Sequence, residues 1–101
     1  MYSVIDIESN GAGFRKESII EIAIYRYNGH EITDRFISLV NPESDITPFV
    51  QKLTHISPKM VKTAPKFHEI AKRIIEITAG TTLVGHNIDF DYRMLRQEFK
   101  R

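Results

Sequence analysis

Tyr2-Ser3-Val4-Ile5-Asp6-Ile7-Glu8 is the stretch on which the reading turns. Its β-branched content and strict alternation mark a strand. Val4, Asp6 and Glu8 point to one face of that strand, and Ser3, Ile5 and Ile7 point to the other. Asp6 and Glu8 stand at its C-terminal end, two residues apart, so both carboxylates share a face within reach of one cation. Adjacent carboxylates repel unless a proton or a metal intervenes. Hard oxygen ligands suit Mg²⁺ or Mn²⁺. The plain alternative is a solvated strand end, because D-x-E recurs often by chance.

Outward from this strand, Ser9-Asn10-Gly11-Ala12-Gly13 reads as a loop. Ile19 to Tyr27 reads as a second strand, with Ile20, Ile22 and Ile24 on one face. Asn28-Gly29 predicts a two-residue hairpin turn, since both residues tolerate positive φ, and Glu31 to Val40 returns as a third strand. Thr47-Pro48 and Ser57-Pro58 each set a capping hydroxyl before a proline at the first helical position. They predict short helices around Phe49–Leu53 and Lys59–Val61. Pro65 opens a longer helix with a Phe67, Ile70, Ala71, Ile74, Ile77 stripe, and Gly80 ends it. Thr82 to Val84 is a short buried strand. His86-Asn87 leads into a last helix from about Asp89. The order β-β-β-α-β-α predicts an α/β fold with a mixed sheet: a three-strand antiparallel meander, and a fourth strand that arrives by a helical crossover parallel to the first.

The last helix holds a second anomaly. At about 100° per residue, with Asp89 at zero, Phe90, Met94, Leu95, Phe99 and Tyr92 cover an arc from about 100° to about 300°. Asp91 falls in the middle of that apolar arc, whereas Asp89 lies with Arg93 and Arg96 on the polar face. An acid in a first helical turn is favoured by the dipole, which accounts for Asp89. Glu98 also falls in that arc, near the end of the helix. An ionised carboxylate facing the core is costly without a partner, and the helix geometry selects Asp91 as the third ligand.

Composition narrows the classes. The 101 residues carry 42% hydrophobic and 27% charged side chains, which fits one small domain and excludes a disordered tail. No apolar run reaches the roughly 20 residues of a membrane span. There is no cysteine and no secretory leader pattern, so a reducing cytoplasm is the expected location. The net charge of +1 does not advertise nucleic acid, so a polyanion would need a local arrangement, such as bound metal, to be held.

Four segments, in order, resemble the DEDD (DnaQ-like) superfamily of 3′→5′ exonucleases, most of all the proofreading exonucleases of DNA polymerase III epsilon subunits. The first motif, D-x-E-[TS]-x-G, matches Asp6-Ile7-Glu8-Ser9-Asn10-Gly11. Ile19-Ile20-Glu21-Ile22-Ala23 matches the second strand. Leu39-Val40-Asn41-Pro42 and Leu53 to Val61 match the middle segment. The second motif, H-N-x-x-F-D, matches His86-Asn87-Ile88-Asp89-Phe90-Asp91.

The resemblance implies a ribonuclease H-like fold and phosphodiester hydrolysis at a 3′ end by two divalent ions, Mg²⁺ or Mn²⁺. Asp6, Glu8 and Asp91 would be the catalytic metal carboxylates. Ser9 and Asn10 would lie beside the terminal nucleotide with backbone groups available to it. Phe49 to His55, Thr54 included, would border the base pocket. His86 and Asn87 would shape the start of the last helix, Asn87 as its N-cap. Phe49 and Tyr92 are candidate stacking surfaces or core aromatics. The implied partner is a single-stranded 3′ end of DNA, with RNA as the alternative, and a polymerase subunit is an implied protein partner. A non-catalytic nucleic-acid or polymerase-binding module is the reading from another class. The family's third motif, H-x-x-x-x-D, is expected beyond Phe99-Lys100-Arg101. Residues 1–101 are thus expected to be the N-terminal portion of an exonuclease domain, without its last strand and helix. They are expected to have little activity alone and an exposed sheet edge open to self-association.

Overall fold

The computed structural model describes residues 1–13 and 15–101. Strands β1 (Tyr2–Ser9), β2 (Ile19–Tyr27) and β3 (Ile32–Leu39) are followed by helices α1 (Pro48–Thr54), α2 (Pro58–Lys62) and α3 (Phe67–Thr78), then β4 (Thr82–Val84) and α4 (Ile88–Lys100). The sheet order is β3-β2-β1-β4. β1 to β3 form the antiparallel meander, and β4 runs parallel to β1, as the crossover argument requires. No helix of the described residues is long and apolar enough to cross a membrane.

Ile5, Ile7, Ile22 and Ile24 turn inward against Ile70, Ile74 and Ile77 of α3 and Met94 and Leu95 of α4, forming the main core. Ile20 does not join them, contrary to the alternation of the sequence. Glu8 pairs with Glu21 and Ser9 with Ile19, which leaves Ile20 as the extra residue of a β-bulge. The bulge flips the strand, so Ile19 enters the main core and Ile20 packs with Ile46, Ile56 and Val61 in a smaller cluster beneath α1 and α2.

Three further boundaries differ from the sequence reading for local reasons. The hairpin reverses around Gly29 (φ +97°) and His30 rather than Asn28-Gly29. Asn28 closes the turn with its own N–H on the Glu31 carbonyl and accepts the Glu31 N–H on its side chain. α3 begins at Phe67, two residues after Pro65, because Asn41 bridges Lys66 and donates to the Pro65 carbonyl, which keeps that segment extended. The buried stripe of α4 is narrower than the apolar arc: Asp91, Met94, Leu95 and Glu98 are buried, whereas Tyr92 and Phe99 are exposed. Tyr92 is therefore not a core aromatic.

Candidate active site

β4 pairs with β1 only from Tyr2 to Val4. From Ile5 onward β1 has β2 on one side, and on the other a lane that Gly85 and the start of α4 occupy. Asp6 is exposed and Glu8 half-buried on the outer face of this strand end. Asp91 reaches the same place from α4, and only 4% of its surface is exposed. A Cβ on Gly85 would come within 2.8 Å of Asp91 Oδ2 and 3.0 Å of the Ile5 carbonyl oxygen. The carboxylate thus sits where only a glycine leaves room between the β1 backbone and the first turn of α4.

Glu8 and Asp91 are raised by burial and by neighbouring acids. Burial first, then Asp6, Glu21 and Asp91, push the Glu8 carboxyl above its ordinary range. Burial and Asp6 push Asp91 up in the same way. Among the described residues none of the three carboxylates is held by a hydrogen bond or ion pair, and no side chains close into a ready-made metal cage. An electron-rich, partly desolvated cluster of hard oxygens without a cationic partner suits a divalent cation, which would relieve both the desolvation and the repulsion. Asp89, in contrast, is exposed on the outer face of α4, as the helix geometry predicts.

The remaining residues divide. Ser9 Oγ donates to Glu17. Asn10 is fully buried; its side chain accepts from the N–H groups of Ala12 and Ser18 and donates to Ser44 Oγ at 2.9 Å. Its backbone N–H bonds the Ser18 carbonyl, and its carbonyl takes the Thr47 N–H. Asn10 is thus an organiser of the loop, and its backbone is not free for a nucleotide. Gly11 (φ +77°) presses on α1: a Cβ there would lie 2.7 Å from both Thr47 Oγ1 and Val50 Cγ2. This clamp brings α1 to the end of β1, where Phe49 projects with 73% of its surface exposed. The Thr54 hydroxyl is used within the helix end, donating to the Val50 carbonyl and accepting the Ile56 N–H.

His86 and Asn87 are exposed. Asn87 holds the N-cap position, and its carbonyl accepts the Asp91 N–H at 3.1 Å, but its side chain makes no capping bond. Its ψ of 67° departs from the extended values of 148° and 159° that aim Thr47 and Ser57 at their helices.

Two contributors escaped the sequence reading. Glu21 faces Glu8 across the ladder, and only the β1–β2 register could have shown it. Gly85 reads in sequence as an ordinary loop residue, whereas its role depends on the neighbouring Asp91 oxygen. A cavity of about 850 Å³ between the 10–18 loop and residues 42–48 is lined by none of Asp6, Glu8 and Asp91.

Similarity to known proteins converges on one family. The profile of the Exonuclease family matches residues 3–101. The 3′-5′ exonuclease DinG of Staphylococcus haemolyticus is 35% identical over 99 residues, covering 98% of this chain and 11% of the relative. A DNA polymerase III of the PolC type from Caldanaerobacter subterraneus subsp. tengcongensis is 36% identical over 100 residues, covering 99% of this chain and 7% of the relative. The chain therefore spans about a tenth or less of the length of these curated relatives. Exonuclease X, solved in complex with 5′ overhanging duplex DNA, superposes with a TM-score of 0.75 and 29% identity over 94% of this chain and 54% of that one. E. coli exonuclease I with a dT13 oligonucleotide shares the fold, with a TM-score of 0.85 at 19% identity over 98% of this chain and 23% of that one. With the ribonuclease H-like sheet and the carboxylate-bearing strand and helix in place, the profile match across almost every residue is decisive: this chain belongs to the Exonuclease family, the DnaQ-like 3′→5′ exonucleases that its motifs resemble.

Proposed function

We propose that residues 1–101 form the N-terminal portion of a metal-dependent 3′→5′ exonuclease domain that removes nucleotides from the 3′ end of a DNA strand, in a proofreading setting. The observation that carries this reading is the approach of Asp91 of α4 to Asp6 and Glu8 of β1, with the Glu8 and Asp91 carboxyls raised and, among the described residues, no hydrogen bond or ion pair to any of the three. The DNA-bound relative exonuclease X supports DNA as the substrate, and the PolC-type relative supports the proofreading setting.

Asp6, Glu8 and Asp91 would hold the ions, Mg²⁺ or Mn²⁺. Divalent ions held there would supply Lewis acidity for activating a water and charge to offset that of the phosphate. The protein's own share is positional. β1 and α4 fix the acids on rigid elements, and Gly85 admits Asp91 into the lane beside β1. The clamp of Gly11 on α1 presents Phe49 as a face on which a terminal base can stack without regard to sequence. Because burial and neighbouring acids raise Glu8 and Asp91, both hold protons further up the pH scale than ordinary carboxyls, and ion binding strengthens as pH rises through that range.

Mn²⁺ titration by calorimetry tests the reading. Binding should be lost in Asp6→Ala and Asp91→Asn and kept in Asp89→Asn. Binding that survives the first two substitutions, or that disappears in the third, would overturn the ligand assignment. Trimming of a 3′-labelled strand by the full-length protein should vanish in Asp6→Ala.

A further inference from the structure

α4 sorts its charges by face. Its acids beyond the first residues, Asp91 and Glu98, are both buried, so past Asp89 the exposed charges of the helix are Arg93, Arg96 and Lys100. These follow at steps of three and four residues, which puts their Cβ atoms about 5–6 Å apart along one ridge. A groove of about 640 Å³ runs along this ridge, lined by Arg15, Tyr92, Arg93, Arg96, Gln97 and Lys100. Its lining has four cations and no acid. Among the described residues no carboxylate pairs with Arg93, Arg96 or Lys100. Two of the guanidinium groups are braced over aromatic rings: Arg93 over Phe90 at 5.5 Å and Arg96 over Tyr92 at 5.9 Å. Tyr92 keeps 51% of its surface exposed.

The groove also has a suggestive frame. One wall is Arg15 of the connection between β1 and β2, and the other is the helix that supplies Asp91. Like-charged side chains crowded on one ridge repel one another, so an anion with several regularly spaced charges would stabilise the arrangement. A planar guanidinium recognises phosphate with paired hydrogen bonds, and an exposed tyrosine beside it offers a stacking face for a base.

We propose that the Arg93–Arg96–Lys100 ridge and the groove it borders bind the phosphate backbone of a nucleic-acid strand away from the carboxylate cluster. This rests on the reading of the chain as acting on nucleic acid. It assigns the chain a second, sequence-independent contact that holds the strand while its 3′ end is at the carboxylates. An overall charge of +1 hides this ridge, because the acids of α4 are turned inward.

The test is equilibrium binding of a fluorescent oligothymidylate about a dozen nucleotides long, followed by anisotropy in chelator over a series of salt concentrations. On a single strand each neutralised phosphate contributes about 0.7 to the slope of log K against log salt. Arg93→Ala, Arg96→Ala and Lys100→Ala together should reduce that slope by about two and weaken binding on the order of tenfold or more at low salt. Arg96→Gln alone, which keeps an aliphatic stem over Tyr92, should lower the slope by about 0.7. It keeps the test valid if the triple variant loosens α4. Removing Lys59, Lys62 and Lys72 instead should change neither quantity. Unchanged slope and affinity in the ridge variants would overturn the proposal. So would an equal loss in the three-lysine variant, which would reduce the effect to net charge. Weakened binding of polyglutamate alone would overturn it too and assign the ridge to an acidic protein. The assay contains no divalent ion and no cleavage. Failure here therefore leaves the carboxylate reading standing, and failure of the Mn²⁺ titration leaves this result interpretable.

Discussion

Asp91 and Glu98 stand two turns apart on the same face of α4, and both are buried, with 4% and 8% of their surfaces exposed. Their surroundings differ completely. Glu98 accepts the Ile19 N–H at 2.9 Å on one oxygen and meets Arg101 at 3.1 Å on the other. Arg101 in turn holds Ser18 Oγ and the carbonyls of Arg15 and Glu17, so the far end of α4 is sewn to the start of β2. Among the described residues Asp91 has no such partner, and the charge that raises its carboxyl is that of the acid Asp6. Burial by itself therefore does not separate a structural carboxylate from a chemical one. The difference lies in whether the protein supplies the compensating charge or leaves that to something bound.

The strongest way to break this contrast is to neutralise each acid in turn and follow 3′-end hydrolysis in the full-length protein. Asp91→Asn should lower kcat/KM on the order of 100-fold or more, since metal charge stabilisation is worth several kcal/mol and each 1.36 kcal/mol is tenfold. Glu98→Gln should retain most activity at a temperature where the fold persists. A comparable loss in both would erase the distinction. Gly85→Ala sharpens it by moving Asp91 without altering its charge. The added methyl meets Asp91 Oδ2 at 2.8 Å, so Mn²⁺ affinity should fall by roughly 10- to 100-fold, as when the support of a ligand is disturbed. Calorimetry would read it.

Stability should respond in the opposite sense. Glu98→Ala strands the Ile19 N–H and should cost about 1–3 kcal/mol, seen as a lower urea midpoint with an unchanged slope. Asp91→Asn should raise the melting temperature of the metal-free protein by a few degrees near neutral pH. The sign follows from proton counting. Glu8 and Asp91 have folded pKa values above their ordinary 4.5 and 3.8, so the folded state binds more protons than the unfolded one in that window. Stability therefore falls as pH rises through it, and the loss is complete above the folded values. Melting curves in chelator taken from the ordinary carboxyl range upward should show this decline in the parent protein and a shallower one in Asp91→Asn.

The smallest effect belongs to Asp34, a satisfied acid on the opposite sheet edge. Arg73, 2.8 Å away, holds its carboxyl below the ordinary 3.8. Its contribution is present above that value and disappears as pH falls through the folded pKa. Because the pair is exposed, Asp34→Asn should shift the melting temperature by a degree or less.

Much of this was legible from the residues. β1 and its two faces follow from alternation alone, and the first-turn acids of α4 separate by helix angle, because both patterns are properties of one element. What stayed hidden depends on how elements meet. Ile20 breaks its alternation because a bulge interrupts the β1–β2 ladder. Glu21 joins the acidic cluster through cross-strand register. Tyr92 and Phe99 leave the core because α4 buries only one seam of its apolar arc. Asn10 looks like a loop polar residue, yet five bonds from both sides of a chain reversal converge on it.

The brevity of β4 has a consequence of its own. The strand stops at Val84, level with Val4, and Gly85 then carries the chain off the sheet. Gly85 lies beside Ile5 there, and Asp91 Oδ2 comes within 2.8 Å of where a Cβ on Gly85 would stand. The length of β4 thus works as a ruler that sets how far along β1 the aspartate comes to rest. A single residue inserted between Leu83 and Val84 would keep every carboxylate in the sequence and still put them out of step, whereas an insertion in the exposed 28–31 turn would leave their spacing untouched.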